Sequence, residues 1–337
     1  MNKETTAPPI VVLGAGSWGT ALAILLARNG QPVWLWGRDA RHVAELSAAR
    51  RNARFLPDVP FPDSLSLTSD LPHVLAVARD ILIAVPSEGF RATLELVGPH
   101  IGSDTRLVWA TKGLEPGTGR LLHQVVAEVL GRAIPTAVIS GPTFAHEVAK
   151  GFPTAVTVAS TSGEFAAHLV ARLHSSTFRA YTSSDVIGVE VGGAVKNVLA
   201  IAAGIADGLG FGANTRAALI TRGLAEMMRL GGALGAQRET LMGLAGLGDL
   251  VLTCTDNQSR NRRLGLALAQ GQTLSDALAA IGQAVEGVQS AREVLHVAQA
   301  LDIEMPITEQ VYQVLYAGRM PRDAVTALLN RDQKAER

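Results

Sequence analysis

One cysteine, Cys254, stands in 337 residues. The chain can therefore close no internal disulfide, and Cys254 has no partners at metal-ligand spacing. A disulfide-stapled secreted scaffold and a thiolate metal centre are excluded, no metal is expected, and the thiol reads as a small core residue. Charge of either sign is also missing in excess: Lys+Arg and Asp+Glu are 30 each. No net field advertises a nucleic acid or an anionic membrane as partner, so any anion site must be local. No uninterrupted apolar run of about 18 residues occurs. The amino-terminal MNKETTAPP is polar, and the apolar segment after it is broken by Gly14 and Gly16, so no secretory core is expected. These absences point to a cytoplasmic protein without a membrane span; a homodimer is allowed. Length alone favours two domains.

The first half supplies a nucleotide-binding pattern. Ile10–Leu13 is a short apolar run entering Gly14-Ala15-Gly16-Ser17-Trp18-Gly19, then a helical pattern to Asn29 closed by Gly30, then a second strand at Pro32–Trp36. This strand, glycine turn, helix and strand give a G-x-G-x-x-G the context it needs to be read as a dinucleotide site. The glycines permit a tight turn and close approach of backbone to a pyrophosphate, which the helix N-terminus faces. Where an acid usually ends the second strand, this chain has Gly37-Arg38. Arginine can pair with a ribose 2′-phosphate that an acid would repel, which favours NADPH; Asp39 alongside could serve NADH instead.

Further apolar segments follow at Leu65–Thr68, Ile81–Val85, Leu107–Ala110, Ala137–Ser140, Thr154–Ala159 and Phe178–Thr182, many separated by helical patterns such as Gly89–Leu96 and Gly119–Leu130. This alternation predicts a doubly wound, mostly parallel, Rossmann-like sheet with its ligand crevice at the carboxyl ends of the strands. Three such ends are chemically loaded: Val85-Pro86-Ser87, Thr111-Lys112-Gly113 and Ser140-Gly141-Pro142-Thr143. Lys112 is placed to reach a ligand or to sit solvated. Gly141-Pro142-Thr143 reads as a turn with a helix starting at the threonine, its free N–H groups binding an oxygen ligand or capping the helix.

Past about Ser184 the patterns are helical, so residues 1–185 are expected to form the dinucleotide-binding domain and 186–337 an all-α substrate domain. The helix of Gly188–Gly204 is apolar nearly all round, yet Lys196 lies in its middle. A buried ammonium is costly unless paired; it either snorkels to solvent or acts as a tuned acid or base. Gly192 and Gly193, one turn earlier, suggest a bare backbone patch open to a ligand. Gly246-Leu247-Gly248-Asp249 delivers a carboxylate that either pairs with the lysine or caps a helix. Ser259-Arg260-Asn261-Arg262-Arg263 is the densest positive charge, suited to a phosphate dianion or to an ordinary solvated face.

These blocks resemble one family over nearly the whole chain, the bacterial NAD(P)-dependent glycerol-3-phosphate dehydrogenases. The resemblance rests on GAGSWGTALA at 14–23, ATKGL at 110–114, ISGPTFAHEV at 139–148, GGAVKNVLAIAAG at 192–204, GFGANTRAALITRGLAEM at 210–227, GLGDLVLTC at 246–254, SRNRR at 259–263 and VEG at 285–287. It implies reduction of dihydroxyacetone phosphate to sn-glycerol 3-phosphate, the entry to phospholipid synthesis, with Lys196 as the proton-transfer residue. Lys112, Gly141, Thr143, Lys196, Asp249, Ser259, Arg260 and Asn261 are then expected around the substrate. Gly14, Gly16, Ser17, Trp18, Gly19, Arg38, Lys112, Ala145, Arg260, Ala284 and Glu286 are expected around the cofactor. The family often has serine where Thr143 stands, which keeps the hydroxyl, and varies at Arg38, which keeps NADH open beside NADPH. Two other readings stand beside this one: a two-domain reductase of the β-hydroxyacid type, whose substrate brings a carboxylate, and a non-catalytic NADPH-binding protein.

Overall fold

The computed structural model describes residues 8–331. Two compact units emerge from it. The first runs to Lys112 and resumes over Leu122–Val189; the second takes Gly113–Leu121 and the chain from Glu190 onward.

The first unit carries an eight-stranded sheet and a two-stranded hairpin. Its strands are β1 (Ile10–Leu13), β2 (Val33–Trp36), β3 (Arg51–Asn52), β4 (Leu56–Pro60), β5 (Leu65–Thr68), β6 (Asp80–Ile83), β7 (Arg106–Trp109), β8 (Thr136–Ser140), β9 (Thr154–Ala159) and β10 (Phe178–Ser183). The sheet order is β10-β9-β8-β7-β6-β1-β2-β5, with β3 and β4 paired apart from it. Every pairing in the large sheet is parallel except β8 with β9. Interleaved helices are α1 (Ser17–Arg28), α2 (Ala40–Ala49), α3 (Leu71–Val77), α4 (Phe90–Val97), α5 (Leu122–Leu130), α6 (Ala145–Lys150) and α7 (Gly163–Leu173). Central strands such as β1, all four of whose residues are buried, read as unbroken apolar runs because both faces are covered.

The amino edge of the sheet is pinned by one carboxylate. Asp80, at the start of β6, is fully buried. It accepts from Arg106 Nε at 2.5 Å, meets His168 Nε2 at 2.9 Å and pairs with the Arg172 guanidinium from α7. Burial pushes the carboxyl up, but the His168 hydrogen bond and the two guanidiniums outweigh it and hold Asp80 below its usual range.

Two local expectations change. The hairpin β3–β4 was invisible in sequence because Pro57, Pro60 and the arginines obscure its alternation. The pattern read as helix over Gly119–Leu130 is helical only from Leu122. The residues before it form a strap, with Gly117 (φ 82°) and Gly119 (φ 69°) in the left-handed region. Gly117 N donates to Glu293 Oε1 at 3.0 Å, which places the strap within the second unit.

The rest of the second unit is helical: α8 (Val186–Gly208, whose first turn crosses from the first unit), α9 (Ala213–Leu234), α10 (Arg238–Met242), a π-helical turn at Leu244–Gly248, α11 (Asp249–Thr255), α12 (Arg260–Ala269), α13 (Leu274–Ile281), α14 (Glu286–Ala300), α15 (Pro306–Tyr316) and α16 (Pro321–Leu329). By length and composition α8 could cross a bilayer, contrary to the sequence expectation, yet 89% of its apolar window is buried inside the protein. It is a core helix, and Cys254 packs in the same interior, where burial pushes its thiol up to about 12.

Buried Glu226 of α9 caps the start of α15, accepting from Ile307 N at 2.5 Å, Thr308 N at 3.1 Å and Thr308 Oγ1 at 3.0 Å. Burial raises its pKa from 4.5 to about 7 against the pull of those three donors. The folded chain therefore holds a proton that the unfolded chain releases between about pH 4.5 and 7, so this group's contribution makes stability fall as pH rises through that window. Glu226→Gln should flatten that part of a stability profile measured by urea unfolding from pH 4.5 to 7.5, by at most about 3 kcal/mol. An unchanged slope would exclude Glu226 as its source.

Candidate functional site

In the first unit, the glycine turn after β1 has the form a dinucleotide requires. Gly14 (φ +118°) could take no side chain, since a Cβ would lie 2.9 Å from Ala84 O. Gly19 packs so closely on the turn that its Cβ would lie 2.0 Å from Gly14 O. At Gly16 a Cβ would meet nothing within 4 Å, so protein packing does not demand glycine there and open space remains over the start of α1. Gly16 is also the N-cap, and no side chain caps that helix, which leaves its first N–H groups for a phosphate. The buried Trp18 Nε1 has no hydrogen-bond partner among the described residues. These features fit a dinucleotide cofactor, and Gly14, Gly16, Ser17, Trp18 and Gly19 are the residues that could hold it. Arg38 follows buried Gly37 at the end of β2 and is exposed.

The carboxyl ends of β6, β7 and β8 are laced together. Thr111 Oγ1 donates to Val85 O at 2.7 Å, and Lys112 Nζ donates to Gly141 O at 3.1 Å. Thr143 Oγ1 donates to the same carbonyl at 3.2 Å. Lys112, Gly141 and Thr143, expected together, are together. Gly141 (φ +147°) carries a turn in which a Cβ would lie 3.0 Å from Val156 Cα. The helix after it begins at Ala145, two residues later than expected, with Phe144 as its N-cap, so Thr143 lies in the turn rather than in the helix.

In the second unit, Lys196 is 7% exposed and Asp249 fully buried. Lys196 Nζ donates to Asp249 Oδ1 and to Thr253 Oγ1, both at 3.0 Å. The Thr253 hydroxyl in turn donates to Asp249 O at 2.6 Å. Of the two readings open for each residue, the lysine does not snorkel and the aspartate does not cap: Gly248 is the N-cap of α11. Gly192, one turn before the lysine, has a purpose other than the one expected. A Cβ on Gly192 would lie 2.4 Å from Ala245 O, so Gly192 lets the π-helical turn press against α8 and carry Asp249 to the ammonium. Thr253 escaped the sequence reading, although its place four residues after Asp249 puts both on one helical face.

The arginine-rich segment divides. Ser259 is the N-cap of α12, accepting from Arg262 N at 3.2 Å. Arg262 is buried and structural, with Nη1 2.5 Å from Asp207 Oδ2 and Nε 3.0 Å from Asn257 Oδ1. Asn261 is buried too; its Nδ2 donates to Asn197 Oδ1 at 2.8 Å and its Oδ1 accepts from Gly287 N at 2.9 Å. Asn197 Nδ2, next in sequence to Lys196, is buried and unpartnered among the described residues. Half-buried Arg260, in the first turn of α12, has no hydrogen bond or ion pair among them. Of the cluster's three guanidiniums Arg262 is committed to the fold, while Arg263 and Arg260 have no such engagement among the described residues; Arg263 is exposed, and only Arg260 of these two is half-buried. Ala284 is exposed just ahead of α14, and Glu286 is its first residue. Ala145 opens α6.

Two family profiles match the chain: NAD-dependent glycerol-3-phosphate dehydrogenase N-terminus over residues 9–166, and the C-terminus of the same description over 185–326. A glycerol-3-phosphate dehydrogenase [NAD(P)+] of Nitrosococcus oceani is 65% identical over 326 residues, covering 97% of this chain and 95% of its own. One from Klebsiella pneumoniae is 60% identical over 329 residues, 97% of each. Among solved structures, the glycerol-3-phosphate dehydrogenase of Coxiella burnetii superposes with a TM-score of 0.94 at 54% identity, covering 97% of this chain and 100% of that one.

The close approach at Gly192 is testable. Gly192→Ala must push α8 away from Ala245, whose carbonyl is backbone and cannot rotate aside. A loss of about 1–3 kcal/mol is expected in urea unfolding; an unchanged midpoint would show that the two backbones part without cost.

Proposed function

Because the chain belongs to the NAD-dependent glycerol-3-phosphate dehydrogenase family, we propose that it reduces dihydroxyacetone phosphate to sn-glycerol 3-phosphate with Lys196 as proton donor. The observation that carries the assignment of Lys196 is its double restraint, 3.0 Å from both Asp249 Oδ1 and Thr253 Oγ1 in an apolar interior. When bound, the nicotinamide cofactor supplies hydride to C2 of the ketone. The charge that develops on the C2 oxygen needs a proton at that moment, and a positioned ammonium gives it. Asp249 keeps the lysine charged before the transfer, and Thr253 fixes the direction of its N–H bonds. For oxidation of glycerol 3-phosphate the same lysine must begin neutral.

Substrate phosphate is assigned to Arg260, which stands uncommitted in the first turn of α12, where the helix dipole also favours an anion. Ser259 and Asn261 hold that turn and have donors left to share. Lys112, Gly141 and Thr143 are assigned to the substrate, and Ala145, Ala284 and Glu286 to the cofactor. NADPH is the preferred cofactor: Arg38 stands just past the end of β2, and Asp39, the residue that could have served NADH, spends one oxygen capping α2 by accepting from Arg41 N and His42 N. The reaction supplies glycerol 3-phosphate for phospholipid synthesis, and the protein is assigned to the cytoplasm.

Lys196→Met keeps stem length and removes the proton donor, so turnover should fall by about 10²-fold or more. It also strands a buried carboxylate, which costs about 3–5 kcal/mol. Lys196→Met/Asp249→Asn removes both charges and should recover stability without recovering turnover. In the parent, reduction should decline as pH rises through the lysine's pKa. Asp249→Asn withdraws the counter-charge and should move that limb to lower pH. A folded Lys196→Met variant within a few-fold of the parent rate would overturn the role.

Arg260→Ala should lower kcat/KM for dihydroxyacetone phosphate by roughly ten- to a hundredfold or more. Unphosphorylated dihydroxyacetone is the control. Equal damage to its slow reduction would assign Arg260 to the fold or the cofactor rather than to the phosphate.

A further inference from the structure

A cleft of about 570 Å³ opens in the first unit beside the glycine turn, lined by Gly16 and Gly37 and by four arginines, Arg38, Arg41, Arg51 and Arg54. Two carboxylates also face it. Asp39 has Oδ1 engaged at the start of α2, and Glu45 lies 3.9 Å from His42 Nδ1. None of the four guanidiniums has an ion pair among the described residues, and that of Arg54 rests over the Phe55 ring at 5.0 Å from its centroid. Four unpaired cations against two acids, one of them already engaged, leave this cleft locally positive in a chain with no net charge.

Arg51 and Arg54 come from the hairpin β3–β4, and the hairpin is not loosely placed. Asn52, between them, is fully buried. Its Nδ2 donates to Ala15 O at 3.1 Å and to Thr20 Oγ1 at 2.9 Å, while its Oδ1 accepts from Phe55 N at 3.3 Å. One amide thus fastens the hairpin turn to the residue between Gly14 and Gly16 and to the first turns of α1. Such a latch holds two guanidiniums at a fixed remove from the phosphate-binding turn. Holding them there is useful only if the anion they meet is part of the molecule bound at that turn.

We propose that Arg51 and Arg54, latched by the positioning residue Asn52, complete with Arg38 an anion seat that reads the 2′-phosphate of NADPH. The seat has two walls: Arg38 at the end of β2, and the hairpin opposite. This rests on the NADPH preference argued above and adds the residues that enforce it. A 2′-phosphate dianion offers three acceptor oxygens, more than one arginine fork can satisfy.

The test uses the full chain, calorimetric titration, and two probes that differ by the phosphate in question, 2′,5′-ADP and 5′-AMP. The parent should bind 2′,5′-ADP the more tightly. Arg51→Ala and Arg54→Ala, both at exposed positions, should each weaken 2′,5′-ADP by about tenfold while changing 5′-AMP less than twofold. Arg179→Ala, on β10 at the opposite edge of the sheet, controls for loss of general positive charge and should change neither. If the parent does not discriminate, the NADPH preference fails and the seat with it. If it discriminates and Arg38→Ala abolishes this while Arg51→Ala and Arg54→Ala leave it intact, the preference stands and the hairpin wall is overturned.

Discussion

An ammonium in an apolar helix cannot be left alone, and the second unit is arranged around that fact. Taking Lys196 and Asp249 out of water costs several kcal/mol per ion, and only a close, well-directed contact recovers it. The contact needs α11 against α8 at near-backbone distance, which Gly192 makes possible. Farther along the same helix the device recurs. A Cβ on Gly204 would lie 2.1 Å from Arg262 O, and one on Gly265 2.1 Å from Ile201 O, so α12 sits on α8 as tightly as the π-helical turn does. Absent side chains on a long buried helix thus fix two neighbouring segments, and those segments carry Asp249, Thr253, Arg260 and Asn261. The chemistry is assembled by close approach of backbones rather than by loops reaching inward.

Charge in this protein is of two kinds, distinguished by whether it is already answered. Asp80 gathers Arg106, Arg172 and His168 at the amino edge of the sheet, and Arg262 answers Asp207. These groups hold elements together and have little left to give. Arg260 and the four arginines of the cleft beside the glycine turn have no such answer among the described residues. Neighbouring residues of one segment, Arg260 and Arg262, fall on opposite sides of this division because helical spacing points them apart.

Much of this was readable from the amino acids. The parallel sheet followed from apolar runs ending in small residues, and the glycine turn from its place between strand and helix. Lys196 announced itself by being charged where the periodicity demanded apolar residues. What stayed hidden depended on distance in sequence. That Gly192 faces protein rather than ligand requires knowing that Ala245 lies against it, 53 positions later, and nothing local states this. Thr253 looked like an ordinary helix residue until the lysine was beside it. The hairpin bearing Arg51 and Arg54 lacks clean alternation, since two prolines interrupt it, and its latch is a single amide whose partners lie more than 30 residues earlier. The two readings of the arginine segment could be separated only by seeing which carboxylate was near.

The strap has a consequence for how this polypeptide can be divided. The chain passes from the first unit to the second at Lys112, returns at Leu122, and leaves again after Val189. No single cut yields two self-sufficient pieces. A fragment ending at 189 carries Gly113–Leu121 without the helix that receives it, and one starting at 190 buries the Glu293 carboxylate, 2% exposed, with Gln289 Nε2 still donating to it but without the Gly117 N–H. Domain shuffling by simple fusion at the boundary would therefore leave a backbone donor without its acceptor on one side and a buried carboxylate one donor short on the other. The two units are bound to be inherited together.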